Sequence, residues 1–264
     1  MVRILLTNDD GIHSDGLTRL EEALRELGDV YVVAPASEMS GASHSLTLSR
    51  PLRIRQIDER HWTVDGTPTD CVTLALNHIL AEDERPDICC SGINYGANLG
   101  DDASYSGTVA GALESTILGV PGLAFSLVAR ENFDFTEAAR YALVAARKVV
   151  EEGLPAGTLL NVNIPPGEVR GVRVTRQGIK QARPIISEHI DPRGKAYYWI
   201  GEEVFRTGHE DGTDYAAVEA GLVSVTPMRS DMTNHDVLES ISGWNSELTA
   251  EGAREAHDQP AGKG

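Results

Sequence analysis

The chain has 264 residues, and its 23 basic and 40 acidic side chains give a formal net charge of -17. That balance excludes a protein that grips a nucleic-acid backbone through clustered Lys and Arg. Only Lys148, Lys180, Lys195 and Lys263 represent lysine. A small phosphorylated ligand stays compatible, because a metal ion and backbone N–H groups can supply local positive potential.

In chain order, Val2 to Leu6 read as a short buried strand, and Asn8, Asp9 and Asp10 follow it directly. Leu17, Leu20, Leu24 and Leu27 recur at helical spacing, with Ser14 or Asp15 as N-cap and Gly28 as the stop. VYVVAP is a second strand. A serine-rich stretch, EMSGASHSLT, leads into LRIRQI and HWTVDGTP, a small β excursion around residues 46–66. A helix is predicted from Thr69 to Leu80, a strand from Asp87 to Cys90, a helix over 107–118, and a strand from Leu123 to Leu127. The helix from Thr136 to Glu152 and the strand LLNVNIP complete the alternation. Strands alternating with helices of this length imply right-handed crossovers and a doubly wound, mostly parallel α/β sheet over residues 1–175.

Beyond residue 175 the pattern changes. GVRVTRQG, KAYYWIGEEVF and GLVSVTPM are β-like segments between polar loops. Residues 176–245 are therefore expected to form an extended β arm that packs on the main domain or is exchanged with another subunit. Residues 246–264 have few large apolar side chains and are expected to be a flexible tail. Cys71, Cys89 and Cys90, an odd number, read as small buried hydrophobes and not as a disulfide scaffold. No leader pattern opens the chain and no apolar run approaches the roughly 20 residues that cross a bilayer, so a cytoplasmic protein is expected.

Ligands of parallel α/β sheets bind outside the carboxyl ends of the strands. Three polar clusters follow predicted strands: NDDG at 8–11, PASEMSGASHS at 35–45 and SGINYGANLG at 91–100. On a turn closed by Gly11, Asp9 and Asp10 can both face one ion, which successive residues of a strand cannot. Hard divalent cations such as Mg²⁺ or Mn²⁺ take carboxylate and neutral oxygens. Asn94 and one hydroxyl among Ser37, Ser40 and Ser43 can complete such a shell. Ser106, Gly107 and Thr108 open a helix whose free N–H groups and positive dipole end suit a phosphate, or else form an ordinary cap. The chain lacks the P-loop pattern, G-x-G-x-x-G and G-x-S-x-G. His13, His44, His61 and His78 form no His-x-x-x-His pair, which disfavours zinc.

LLTNDDG, VVAPASEMSGASHSLT, VDGTPTDCV, SGINYGANLG, YSGTVAGALE and GTDYAAVEAGLVSVTPMRSDMT occur here in the same order as in the survival protein SurE family, which the chain resembles from residue 1 to about 245. The resemblance implies a Rossmann-like fold with a C-terminal arm exchanged in dimers or tetramers. It implies a metal-dependent 5′- and 3′-nucleotidase that hydrolyses nucleoside monophosphates, in a family some of whose members also trim short polyphosphate. It places one divalent cation per subunit on Asp9, Asp10, Ser40 and Asn94, thereby selecting Ser40 among the three serines. Asp9 and Asp10 are then the catalytic carboxylates, and Asn98 with Ser106, Gly107 and Thr108 the phosphate-binding set. An aspartyl-phosphate route is disfavoured, since Gly11 stands where an Asp-x-Asp pair needs its second carboxylate. Two other readings use the same features: a nucleotide or phosphate sensor without turnover, and a structural oligomer built on the arm.

Overall fold

The computed structural model describes residues 1–207 and 210–244, and the expected tail at 246–264 lies outside the described residues. Residues Met1–Ser230 form one compact unit, and a second begins at Asp231, whose described part holds a short 3-10 turn at His235–Val237.

Among the described residues, one sheet takes nine strands: β1 (Val2–Thr7), β2 (Gly28–Pro35), β3 (Ile54–Gln56), β4 (His61–Val64), β5 (Ile88–Tyr95), β6 (Gly122–Leu127), β7 (Thr158–Ile164), β8 (Val172–Val174) and β11 (Val223–Arg229). Their order is β3-β4-β2-β1-β5-β6-β7-β11-β8, and the run from β4 to β7 is parallel. Helices α1 (Asp15–Leu24), α2 (Pro68–Leu74), α3 (Gly107–Ile117) and α4 (Thr136–Glu152) cover its faces, and α5 (Asp214–Glu219) precedes β11. The doubly wound α/β expectation therefore holds.

Strand alternation sorts the core. Ile4, Leu6 and Cys90 pack with Leu17, Leu20 and Leu24 of α1 and the alanine face of α4, whereas Leu5 and Cys89 pack with Val33, Cys71 and Val72 on the other face. All three cysteines are free and buried, as their apolar surroundings suggested.

Of the two expected caps, Ser14 is the one that caps α1, and its hydroxyl accepts the Leu17 amide. Several boundaries differ from expectation. Gly28 does not stop that helix; it is the first residue of β2. The helix after Thr67 is α only to Leu74 and finishes as a π turn over Ala75–Ile79. Within the β excursion, β4 pairs in parallel with β2 and so extends the main sheet. Strand β5 runs on to Tyr95, with a register shift between Ser91 and Asn94, so the SGIN segment is strand and not loop.

Of the segments expected in the 176–245 arm, β11 packs on the main domain, antiparallel to β7, and β8, which precedes the arm, pairs with β11 at the edge of the same sheet. Among the described residues, only β9 (Lys180–Ile190) and β10 (Ala196–Thr207) stand apart, as a two-stranded antiparallel ribbon. Strand period alone cannot distinguish a segment that returns to a distant sheet edge from one that does not.

Helix α1 approaches β5 so closely that a methyl group at Gly16 would lie 2.0 Å from the Ile93 carbonyl oxygen. Gly16→Ala should therefore destabilise the protein by about 3 kcal/mol. A thermal melt should show Tm falling by roughly 10 °C.

Candidate active site

Strand β1 is the central strand from which the order runs both ways, to β2 on one side and β5 on the other. The gap between the carboxyl ends of β1 and β5 is the topological switch point, where the backbones diverge and leave a crevice. NDDG leaves β1 there, and Asn94 sits at the end of β5.

The turn after β1 is held from within. Asn8 Nδ2 donates to the Gly11 carbonyl at 3.0 Å and to Ser14 Oγ at 2.8 Å, joining the turn to the cap of α1. Gly11 adopts φ +94°, in the region that favours glycine. The Ile12 amide donates to the Pro35 carbonyl at 2.9 Å, and the Met39 amide to the Asp9 carbonyl at 2.7 Å, so the loop after β2 rests on the same turn.

Asp9 is 3% exposed. Its carboxylate faces the start of α3: Thr108 Oγ1 donates to Asp9 Oδ1, and the backbone amides of Thr108 and Gly107 also favour its charged form. Burial outweighs them and raises its pKa above the usual carboxylate range. Asp10 is less buried, yet burial, then the neighbouring Asp9, and more weakly Glu38, push it up to about 7 against an opposing bond from the Tyr95 amide. Asp10 Oδ2 is buried without a hydrogen-bond partner, as is Asn8 Oδ1. Buried acceptors of this kind are costly unless a cation or donor meets them.

Asn94 Nδ2 donates to the Gly96 carbonyl at 3.0 Å, which fixes the amide by its nitrogen and leaves the oxygen as its other face. Ser40 is exposed, and its hydroxyl donates to Glu38 Oε1 at 2.9 Å. Ser43 is committed elsewhere, donating to the Ser104 carbonyl at 2.8 Å, and Ser37 lines a cavity beside Asp10. Two adjacent carboxylates with raised pKa values, an orphaned carboxylate oxygen and hard neutral oxygens make a donor set that fits one Mg²⁺ or Mn²⁺ ion.

Ser106 caps α3, its Oγ accepting the Val109 amide at 3.1 Å. Gly107 and Thr108 are buried beside Asp9. Asn98 is buried in a polar network: its Nδ2 donates to Ser126 Oγ at 2.8 Å, and its carbonyl accepts from Asn161 and Asn163 at 2.8 and 3.1 Å.

Sequence reasoning missed that network and two further contributors. Asn161 and Asn163, two apart in an apolar strand, share a face that should carry aliphatic side chains, and that alternation was a readable signal. Glu38 follows Ser37 in a loop and carries no such signal. Asp214, fully buried, accepts the amides of Gly100 at 2.8 Å and Gly178 at 2.9 Å, tying the Asn98 loop to the base of the ribbon. Among the histidines, His44 Nε2 bonds Glu114 on α3 at 2.8 Å, away from the carboxylate pair.

Comparison with known proteins agrees over most of the chain. The survival protein SurE family model matches residues 4–184. The chain is 51% identical over 245 residues to the 5′-nucleotidase SurE of Aquifex aeolicus, which covers 91% of this chain and 97% of that protein. It is 52% identical over 246 residues to the 5′-nucleotidase SurE of Myxococcus xanthus, covering 92% and 93%. The crystal structure of the SurE protein from Aquifex aeolicus superposes with a TM-score of 0.82 at 49% identity, over 92% of this chain and 99% of that one.

Proposed function

Because this chain belongs to the survival protein SurE family, we propose that it is a 5′-nucleotidase. It hydrolyses nucleoside 5′- and 3′-monophosphates to nucleoside and inorganic phosphate, and short polyphosphate as well. The observation that carries the reading is the carboxylate pair at the switch point, with the orphaned Asp10 oxygen, set against the N-terminal end of α3.

Asp9, Asp10, Ser40 and Asn94 would hold one divalent cation, Mg²⁺ or Mn²⁺. When bound, such an ion supplies Lewis-acid polarisation of a phosphoryl oxygen and lowers the pKa of a bound water. The protein's own groups do the rest. The helix start at Ser106, Gly107 and Thr108, together with Asn98, would hold the phosphoryl oxygens through the positive dipole end and the donor hydrogens not already committed to Asp9, Ser126 and Asn163. Asp9 or Asp10 orients the attacking water in line with the leaving oxygen. The bond to the leaving oxygen breaks as the water oxygen joins phosphorus; the water gives up one proton to solvent and the leaving oxygen takes one up, which yields the nucleoside hydroxyl and inorganic phosphate.

The arm reading narrows to the β9–β10 ribbon. Its Trp199 and Ile200 are 66% and 80% exposed, and apolar surface of that kind favours exchange with another subunit in a homodimer or homotetramer. No described helix is long and apolar enough to cross a membrane.

Phosphate release from AMP should require added Mn²⁺ or Mg²⁺, fall to background in EDTA, and return when the ion is restored in excess. Equal turnover in EDTA would remove the metal from the reading. Tight AMP binding without phosphate release would favour the sensor. Assays with 3′-AMP and tripolyphosphate settle the wider substrate range.

A further inference from the structure

Asn98 lies beyond the end of β5, and the backbone groups around it are taken up by side chains from distant segments. On one side the Asn98 amide donates to Asn163 Oδ1 at 2.9 Å, and the Asn98 carbonyl accepts from Asn161 and Asn163 of β7. On the other side the Gly100 amide donates to Asp214 Oδ2 at 2.8 Å, Gln177 Nε2 donates to the Gly100 carbonyl at 2.6 Å, and the Tyr215 hydroxyl donates to the Leu99 carbonyl at 3.2 Å. The loop is set between two walls.

The second wall turns on Asp214, which is fully buried. Its Oδ1 accepts the Gly178 and Tyr215 amides, each at 2.9 Å, while Oδ2 takes Gly100. A buried carboxylate is costly unless donors meet it, and hydrogen bonds to a charged acceptor are about twice as strong as neutral ones. Gly178 stands at the foot of the ribbon, just before β9, and the approach there is close: a Cβ at Gly100 would lie 2.7 Å from Tyr215 Cε2 and 2.8 Å from the Gly178 carbonyl oxygen. One side chain thereby sets the distance between loop and ribbon base.

We propose that Asp214 is a positioning residue of the phosphate site: by holding the Gly100 and Gly178 amides it fixes the Asn98 side chain against the phosphoryl group, with the ribbon base as reference. The proposal rests on the nucleotidase reading above. Asn98 Nδ2 spends one hydrogen on Ser126 Oγ at 2.8 Å, which leaves its second for a phosphoryl oxygen. Displacing the loop moves that donor and leaves the carboxylate pair in place.

Asp214→Asn is nearly isosteric and cuts one arm of the junction. The amide oxygen keeps the Gly178 and Tyr215 bonds, and Nδ2, a donor, then faces the Gly100 amide, also a donor. With Mn²⁺ present, KM for AMP and Ki for inorganic phosphate should both rise about tenfold, the scale of one hydrogen bond to a charged group. The kcat should stay within about twofold of wild type, the pattern of lost uniform binding, and Mn²⁺ affinity by titration should not change. A merely structural loss would instead lower kcat through the folded fraction and leave KM and Ki alone. In an Asn98→Ala background Asp214→Asn should add nothing further, because it acts through Asn98. Gln177→Ala, an exposed change that removes the bond to the Gly100 carbonyl, should move KM and Ki the same way by about threefold, and it decides if Asp214→Asn does not fold. Unchanged KM and Ki in the variants, or effects of Asp214→Asn and Asn98→Ala that simply add, overturn the positioning role. If the wild type releases no phosphate from AMP, the nucleotidase reading fails and calorimetry with inorganic phosphate decides alone: Asp214-dependent binding keeps the role, and its absence removes it.

Discussion

Asp10→Asn should lose phosphate release from AMP by at least about 10³-fold, because it removes a charged oxygen from the proposed cation shell, and should at the same time make the metal-free protein more stable. The second effect follows from the carboxylate's titration. Asp10 titrates near 7 in the folded chain, against its usual 3.8, chiefly through burial and then through Asp9 beside it. Between those values the folded state keeps a proton that the unfolded state has released, so stability falls as pH rises from about 4 to about 7. Above that window the penalty is complete. Three pH units correspond to about 4 kcal/mol, and partial solvent screening of Asp10 reduces this to about 2 kcal/mol. Above pH 7.5 the metal-free variant should melt roughly 5 °C above wild type, and at pH 4 the difference should vanish. Added Mn²⁺ should raise the wild-type Tm and leave the variant's unchanged. A variant that is less stable than wild type at pH 8, or that retains turnover, would refute the placing of Asp10 as a buried, unpartnered carboxylate in the proposed cation shell.

Gly107→Ala should reduce kcat/KM about 100-fold through a single methyl group, the scale of loss that follows a displacement of about 1 Å at a reacting centre. A Cβ at that position would lie 2.7 Å from Asp9 Cβ and 2.9 Å from Asp9 Oδ2. The first of these is no flexible side-chain end, since it is tied to the backbone of the turn after β1. Helix α3 cannot retreat either, because Val109, Ala110 and Ala112 are buried against the sheet. The Asp9 carboxylate must therefore turn, and the Thr108 hydroxyl bond to it goes with that movement. On stability the effects oppose one another. Alanine gains up to about 1 kcal/mol of helix propensity, and overpacking costs about 1–3 kcal/mol. Tm should fall by only a few degrees while activity collapses, and Mn²⁺ affinity measured by titration should weaken in parallel. Wild-type kcat/KM in a folded Gly107→Ala protein would separate Asp9 from the chemistry.

The elements were largely legible because strand and helix periods are local properties of a chain. The helix from Thr136 to Glu152 was read to its ends, since the apolar face made by Ala138, Ala142, Ala146 and Val149 repeats without interruption. The strand from Val2 was readable from its apolar run, and Ser14 from its place before a helical repeat. Less legible was β5, which continues past a register shift between Ser91 and Asn94 inside a segment rich in glycine and asparagine. The tight helix–sheet approach at Gly16 left no local mark at all.

By itself the sequence determined the alternation of strands and helices and the polar clusters that follow them, since side-chain period and turn chemistry act over a few residues. It also placed Asp9 and Asp10 at the end of a strand with Gly11 to turn them. Tertiary structure decided the rest. Pairing of Thr7 with Ser91 sets β1 beside β5 and makes the switch point, and the Thr108 bond to Asp9 spans 99 residues. The return of β11 to β7 and the asparagine network around Asn98 are likewise contacts between distant segments. Such contacts depend on which surfaces meet once the core is buried, and no short stretch of chain carries that information.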